Sequence, residues 1–345
     1  VHIDLTELRN REKYISCRKH PRLDLLIWNY KASCAFDGAW DTYTLMSRGL
    51  ITDTEGLVIA RPFPKFFNVG EKDGTQLRNL PSDIPEIREK LDGSLGIQYY
   101  DGEKVCIATR GTFDSDQGLW ATEWMAKYKR WQFLGGHTYL YEIVYPENRI
   151  VVDYGDRAEL ILLAVINTHD GCEVDIDREG ATLDLETPAL INTDVCVLAE
   201  TVKNMSIASE GFVLRYPDGL RVKMKGWEYI RLHKAIFQIS TTAIWEAVKL
   251  GDNLAVILDR LPEAYHPWVT QQGELIENHH AHLVRVKSHL REVIADLPTR
   301  KEQATYINRH HPEVAWMMSA ILDNKDMSEK FWKVVKPEHA KPCLT

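Results

Sequence analysis

Lys90 stands two residues ahead of Asp92 and three ahead of Gly93 in Glu89-Lys90-Leu91-Asp92-Gly93-Ser94. Further charged groups follow in order: Tyr141-Glu142-Ile143, Glu210-Gly211-Phe212-Val213 and Lys223-Met224-Lys225, each beside apolar, strand-like residues. A protonated lysine cannot attack phosphorus; it becomes a nucleophile when desolvation or neighbouring cations favour the neutral amine. Lys223 and Lys225 alternate around Met224, so on a strand both point to one face. Opposite Lys90, that face would supply positive charge for the lysine and neutralisation for a triphosphate. Gly93 would allow a tight turn with close phosphate approach. Taken alone, Lys-x-Asp-Gly equally describes a solvated lysine before a turn. The ordered set is what points to chemistry at phosphorus.

Asp92, Glu142 and Glu210 are the acids that could organise Mg²⁺, which prefers oxygen ligands, keeps several waters and borrows few protein carboxylates. A carboxylate aimed into a strand-walled cleft needs a charge partner, so salt bridges are the competing account of each. Upstream, Arg61-Pro62-Phe63-Pro64-Lys65-Phe66-Phe67-Asn68 sets two cations among three phenylalanines. Lys65 there is either a snorkelling base over a buried turn or a phosphate contact at a cleft rim. Arg48-Gly49 and Thr109-Arg110-Gly111-Thr112 read the same two ways. Tyr154 could stack on a purine or pack in a core.

The elements that must position these groups fall into two regimes. From roughly Asp41 to Tyr229 the chain reads as short strands between turns. Ile97–Tyr100 and Val105–Ala108 form a hairpin around Asp101-Gly102, and Phe212–Tyr216 and Leu220–Met224 another across Pro217-Asp218-Gly219. Thr138–Val144 and Arg149–Asp153 read as a strand pair, Leu160–Ile166 as a buried strand and Gln117–Tyr128 as a helix. After about Ser240 the texture becomes helical: 241–249, 254–261, 279–297, 301–308 and 313–322, punctuated by Pro267, Pro298 and Pro312. The expected fold class is α+β: antiparallel sheets with flanking helices over residues 1–240, then an all-helical C-terminal domain over 241–345.

Composition narrows the partners. A formal net charge of −8 argues against a protein that coats nucleic acid, yet leaves room for a local basic groove. The six cysteines are scattered without a CxxC pair, which suggests neither a zinc ribbon nor a disulfide scaffold and fits reduced thiols in a cytoplasmic setting. No apolar run approaches ~18 residues, so no membrane partner is expected. The start, Val1-His2-Ile3-Asp4, lacks the features of a signal peptide and an initiator Met.

The order of Glu89-Lys90-Leu91-Asp92-Gly93-Ser94, Tyr141-Glu142, Glu210-Gly211 and Lys223-Met224-Lys225 resembles the covalent nucleotidyltransferase superfamily of DNA ligases, RNA ligases and mRNA capping enzymes. Lys65-Phe66-Phe67-Asn68, Thr109-Arg110-Gly111-Thr112 and Pro146-Glu147-Asn148-Arg149-Ile150-Val151 are similar to its RNA ligase 1 branch, typified by the T-even bacteriophage tRNA-repair ligase. The likeness covers roughly Arg48 to Lys225. It implies an ATP-dependent RNA ligase (nucleotidyltransferase fold) in which Lys90 takes AMP from ATP and passes it to an RNA 5′-phosphate. It gives Lys223 and Lys225 to the α-phosphate, and Arg48, Lys65 and Arg110 to pyrophosphate or RNA phosphate. Asp92, Glu142 and Glu210 would order Mg²⁺, with Mn²⁺ as substitute; Glu142 would also lie near the ribose. Glu89 would lie at the adenine edge, with Tyr154 sandwiching the base. Arg110 stands where the phage enzyme is expected to have lysine, which keeps charge but changes donor geometry. The implied partners are ATP and single-stranded or broken-loop RNA such as tRNA, handled by a monomer.

Rival readings share the core or dispense with chemistry. A capping guanylyltransferase or DNA ligase would carry an OB-fold after Lys225 where this chain reads as helices. A non-catalytic RNA-binding protein, or a partner-binding helical protein with an inert domain, would have no use for the intact Lys90, Asp92, Glu142, Glu210, Lys223 and Lys225. In the tail, His279-His280-Ala281-His282 and His310-His311 read as surface histidines or a zinc site. Arg285, Lys287, His289 and Arg291 read as a solvated helix face or a basic face toward RNA.

Overall fold

The computed structural model describes residues 1–127, 132–252, 254–258, 261 and 265–341. It divides into two compact units, Val1–Arg231 and a second beginning at Leu232. Period-two alternation builds three four-stranded sheets in the first unit. One is β1 (Ile15–Lys19), β2 (Leu25–Tyr30), β3 (Arg48–Asp53) and β4 (Val58–Ala60), in that order. The second comprises β7 (Ser94–Asp101), β8 (Lys104–Thr109), β9 (His137–Val144) and β10 (Glu159–Asn167), ordered β10-β9-β7-β8. The third comprises β5 (Phe67–Asn68), β6 (Glu86–Lys90), β11 (Gly211–Arg215) and β12 (Arg221–Lys225), ordered β5-β12-β11-β6. The pairings are antiparallel except for the short β12–β5 contact.

Leu25, Ile27 and Ile51 of the first sheet share a core with Ile97, Leu140 and Ala164 of the second. The second sheet's other face is covered by the helices Asp116–Met125 and Ile176–Leu183, through Ala121, Met125 and Leu183. Ile87, Leu214, Val222 and Met224 of the third sheet pack against Leu198 and Val202, on and just after the helix Val195–Thr201. Burying Val222 and Met224 on that side turns Lys223 and Lys225 to the other.

Both expected hairpins form, with Gly102 and Gly219 at positive φ in their turns. Three readings need correction. Strands begin at Ile15, well before Asp41. Residues 149–153 are not a strand, because the N–H groups of Val151 and Val152 bond to the Asp92 carboxylate rather than to a neighbouring strand. The helix expected at 117–128 spans Asp116–Met125, and Tyr128 lies outside the described residues.

The second unit holds the helices Thr241–Leu250, Ala255–Leu258, His266–Ile294, Arg300–His310, Met318–Asp323 and Ser328–Val334. Residues 259 and 260 of the second expected helix lie outside the described residues. Pro267 punctuates these segments as expected, opening the long helix that follows Ala255–Leu258, since proline is tolerated in a first turn. His280 stacks on Trp332 at 3.9 Å between centroids, and Lys287 donates to the Lys325 carbonyl. Among the described residues, no helix is long and apolar enough to cross a membrane, and Cys17, Cys34, Cys106, Cys172 and Cys196 are free.

Candidate active site

Strand register sets the geometry. Lys225 on β12, Gly211 on β11 and Lys90 on β6 are direct partners, forming one row across three strands. The middle of the row has no side chain and tolerates none. A β-carbon on Gly211 would come within 2.1 Å of the Met224 carbonyl and 2.8 Å of the Lys225 Cα, at a φ of +146°. Over this gap Glu210 receives Lys90 Nζ on Oε2 and Lys225 Nζ on Oε1, each at 2.7 Å.

This arrangement corrects one expectation, that cations would favour a neutral Lys90. Burial does push its amine down, but Glu210, Glu142 and Asp92 together outweigh burial and the amine sits above its ordinary value. The Glu210 carboxyl is held below its ordinary value; its own burial opposes that, and Lys90 and Lys225 prevail. In this state Lys90 is an ammonium closed into an ion pair. Burial and like charge do depress a neighbouring lysine, Lys223, pushed down to about 7 with Lys65, Lys225, Lys90 and Arg48 as the contributing cations.

Glu142 acts on Lys90 as well. Burial drives its carboxyl up to about 7; Lys90 and the Gly93 N–H oppose this, while Glu210 and Asp92 add to it. Its Oε1 accepts the Gly93 N–H at 2.9 Å. Gly93 is required by this approach to β9, where a β-carbon would meet the Ile143 carbonyl at 2.5 Å. Asp92 is fully engaged inside the protein. One oxygen accepts the N–H groups of Val151 and Val152, both at 2.8 Å, and the other accepts the Tyr229 hydroxyl at 2.7 Å.

A second cluster is cationic. Arg48 Nη1 is buried and unpartnered, and its guanidinium lies 5.4 Å from the Phe66 ring. Lys65 is pushed down by burial, countered by Glu71 and reinforced by Arg48, Lys72 and Arg110. Lys223 stands in register with Asn68, the second residue of β5, and lies 5.4 Å over the Phe66 ring. An orphaned donor and two depressed lysines mark a place where an anion would be stabilised. Arg110 is more exposed and donates to the Tyr30 hydroxyl at 3.2 Å.

Two anticipated residues stand apart from the lysine row. Strand alternation turns Glu89 away from Lys90, toward Ser209, whose hydroxyl is 3.5 Å away. Tyr154 packs beside Leu91, Val144 and Ile161, and its hydroxyl accepts the Asp92 N–H at 2.8 Å. Sequence reading missed Tyr229 and gave Asn148 no role. Asn148 donates to the Ile143 carbonyl and receives Ser94 Oγ, fixing the chain after Gly93. Neither has a motif of its own, since Tyr229 reaches Asp92 and Ser94 reaches Asn148 across long sequence separations.

Among the described residues no three His, Cys, Asp or Glu side chains converge as a ready-made metal cage. A hydrated divalent ion, which needs few protein oxygens, still fits beside Glu142, whose charge is disfavoured by burial and by Glu210 and Asp92.

The family model described as RNA ligase matches residues 46–229, more than half of the chain. The chain belongs to the RNA ligase family. The matched ligase region contains the lysine row, Glu142, Asp92 and the cationic cluster. An RNA ligase of Rhodothermus phage RM378 is 29% identical over 197 residues, 45% of this chain and 43% of that protein. A putative RNA ligase of Thermovibrio ammonificans is 28% identical over 192 residues, 52% of this chain and 50% of that protein. The chain therefore spans about half the length of the curated relatives it matches. Among solved structures, an archaeal ATP-dependent RNA ligase aligns with a TM-score of 0.47 and 12% identity, over 79% of this chain and 75% of that one.

Proposed function

We propose that this chain joins RNA ends at the expense of ATP through a lysyl–AMP intermediate on Lys90. The observation that carries the reading is the row of Lys225, Gly211 and Lys90 closed by Glu210 beside a buried cationic cluster. The amine of Lys90 would attack the α-phosphorus of ATP, forming a P–N bond as the α–β bridging P–O bond breaks and pyrophosphate leaves. Before attack the Lys90–Glu210 ion pair must open and the ammonium must lose a proton to solvent. An RNA 5′-phosphate would then displace Lys90 and form a 5′–5′ pyrophosphate, and an RNA 3′-hydroxyl would displace AMP. Each displacement needs in-line placement and charge neutralisation more than a strong base.

Lys223 and Lys225 would hold the α-phosphate, with Arg48, Lys65 and Arg110 on the leaving pyrophosphate or the RNA phosphate. Mg²⁺ or Mn²⁺ beside Glu142 and Glu210 would supply further positive charge against the phosphate oxygens. Asp92 would act chiefly by fixing the loop 149–153, given its three internal hydrogen bonds. The resemblance also gives adenine to Tyr154 and Glu89; with the Tyr154 hydroxyl engaged, its ring is the part that would meet the base. A helical domain over 241–345 would select the RNA, a broken-loop or single-stranded end such as a cleaved tRNA, with the enzyme acting as a cytoplasmic monomer.

The test is incubation with Mg²⁺ and α-labelled ATP, with GTP in parallel, followed by denaturing electrophoresis. An ATP-dependent adduct missing from Lys90→Ala supports the reading. A GTP adduct would move it toward capping chemistry. No adduct even after pyrophosphate treatment, which strips protein already adenylated, would overturn it.

A further inference from the structure

Beside the cationic cluster runs a line of three aromatic rings that none of the proposed chemistry uses. Tyr30 ends β2, Trp40 precedes the helix Thr42–Met46, and Phe67 opens β5. Ring centroids lie 5.1 Å apart for Tyr30 and Trp40 and 5.4 Å apart for Trp40 and Phe67. Cations accompany each ring. The Arg110 guanidinium is 5.2 Å from Tyr30, Lys65 Nζ is 3.9 Å from Phe67 and 5.5 Å from Trp40, and Lys72 Nζ is 5.3 Å from Phe67. All three rings are partly exposed.

We propose that Tyr30, Trp40 and Phe67, interleaved with Lys65, Lys72 and Arg110, hold the first nucleotides of the RNA strand that carries the 5′-phosphate. The proposal rests on the ligation reading above and names the part of the substrate this surface takes. Alternating rings and cations suit single-stranded nucleic acid, because every base has a stackable face and every linkage a negative charge. Lys65 decides the strand. It belongs both to the phosphate cluster with Lys223 and Arg48 and to the aromatic line, so a 5′-phosphate held by the cluster leads its own nucleoside onto the rings. A chain of net charge −8 must attract RNA through such local patches.

Two measurements on the full chain test this. The first is photocrosslinking with a 5′-phosphorylated oligoribonucleotide carrying 4-thiouridine as its first nucleotide, beside an acceptor oligoribonucleotide carrying it as its last. Crosslinks from the first probe should map to peptides containing Tyr30, Trp40 or Phe67. Crosslinks there from the acceptor alone, or from neither probe, overturn the assignment. The second is steady-state ligation by Trp40→Ala and Trp40→Phe. Loss of one stacking partner should raise KM for the 5′-phosphorylated strand about tenfold or more, and phenylalanine should restore most of it. An unchanged KM, or a Trp40→Ala protein that no longer forms the adduct with ATP, would make Trp40 a packing residue and end the proposal. Wild-type protein that crosslinks as expected yet forms no adduct would sink the ligation reading and leave this RNA surface standing.

Discussion

Lys90 and Lys225 donate to opposite oxygens of one carboxylate, Glu210, at 2.7 Å each. Their shared acceptor keeps two cations close across a strand that contributes only Gly211 between them. It also favours the charged form of Lys90, which is not a nucleophile. Removing the charge of Glu210 while keeping its shape should release the amine. In Glu210→Gln, Lys90 is expected to react on the order of tenfold faster with an amine-specific reagent at neutral pH, read by peptide mapping. Adduct formation with ATP should nevertheless fall, because the two lysines lose their alignment. Unchanged Lys90 labelling would refute the account of the ion pair.

The gap at Gly211 should be intolerant of even a methyl group. Gly211→Ala puts a β-carbon against the backbone of β12, which cannot rotate away, and is expected to cost about 2–3 kcal/mol. Gly135→Ala, where a β-carbon would meet nothing within 4 Å, should stay within about 0.5 kcal/mol of the parent. Denaturant midpoints of the two variants compare directly.

Lys223, depressed to about 7 against an ordinary 10.5, gives nucleotide binding a proton signature. Above its depressed value the amine is neutral, and an arriving triphosphate favours its charged form. Binding of ATP at pH 8 should therefore take up a proton, and the uptake should fade toward pH 6, where the amine is already charged. Calorimetry in buffers of different ionisation enthalpy reads this number. Lys223→Arg, which stays protonated, should abolish the uptake.

Glu142 predicts a metal-dependent stability. Its folded carboxyl, raised to about 7 from 4.5, contributes stability that is complete below 4.5 and lost as pH rises through 7. Without metal, Glu142→Gln should gain on the parent protein by roughly 2–3 kcal/mol between pH 5 and pH 8. Added Mg²⁺ should raise the parent's melting temperature at pH 8 and leave it nearly unchanged at pH 5. A parent protein indifferent to Mg²⁺ at both pH values would remove Glu142 from the metal assignment.

Tyr229 should matter to stability through one atom. Its hydroxyl is one of the donors on a buried carboxylate, so Tyr229→Phe is expected to cost about 1.5–3 kcal/mol. Hydrogen exchange at the Val151 and Val152 amides, which share that carboxylate, should accelerate in the same variant.

What the sequence disclosed was what acts locally. Asp101-Gly102 and Pro217-Asp218-Gly219 announced their turns, and the alternation through Lys223, Met224 and Lys225 announced which side faces the core. The charged residues that the structure brings together at the candidate site stood out because of their types and their order. Long-range partnerships were not. Val151 and Val152 look like strand residues until the carboxylate of Asp92, far back in the chain, takes their N–H groups. The charge state of Lys90 was misjudged because the alternation that aligns Lys223 and Lys225 says nothing of Glu210 rising between Lys90 and Lys225. Tyr30 and Trp40 carry no motif; only the fold brings them to Phe67.

The third sheet makes strand register an inherited setting of this fold. Sliding β11 by one residue would put Phe212 where Gly211 now leaves room, and would carry Glu210 out of the space between its lysines. Single-residue insertions or deletions within β6, β11 or β12 should therefore be silenced by selection even where they leave every charged residue intact. The exposed turn at Asp218, beyond the far end of the same hairpin, is where this sheet can accept added length and where a tag or a fused module would do least harm.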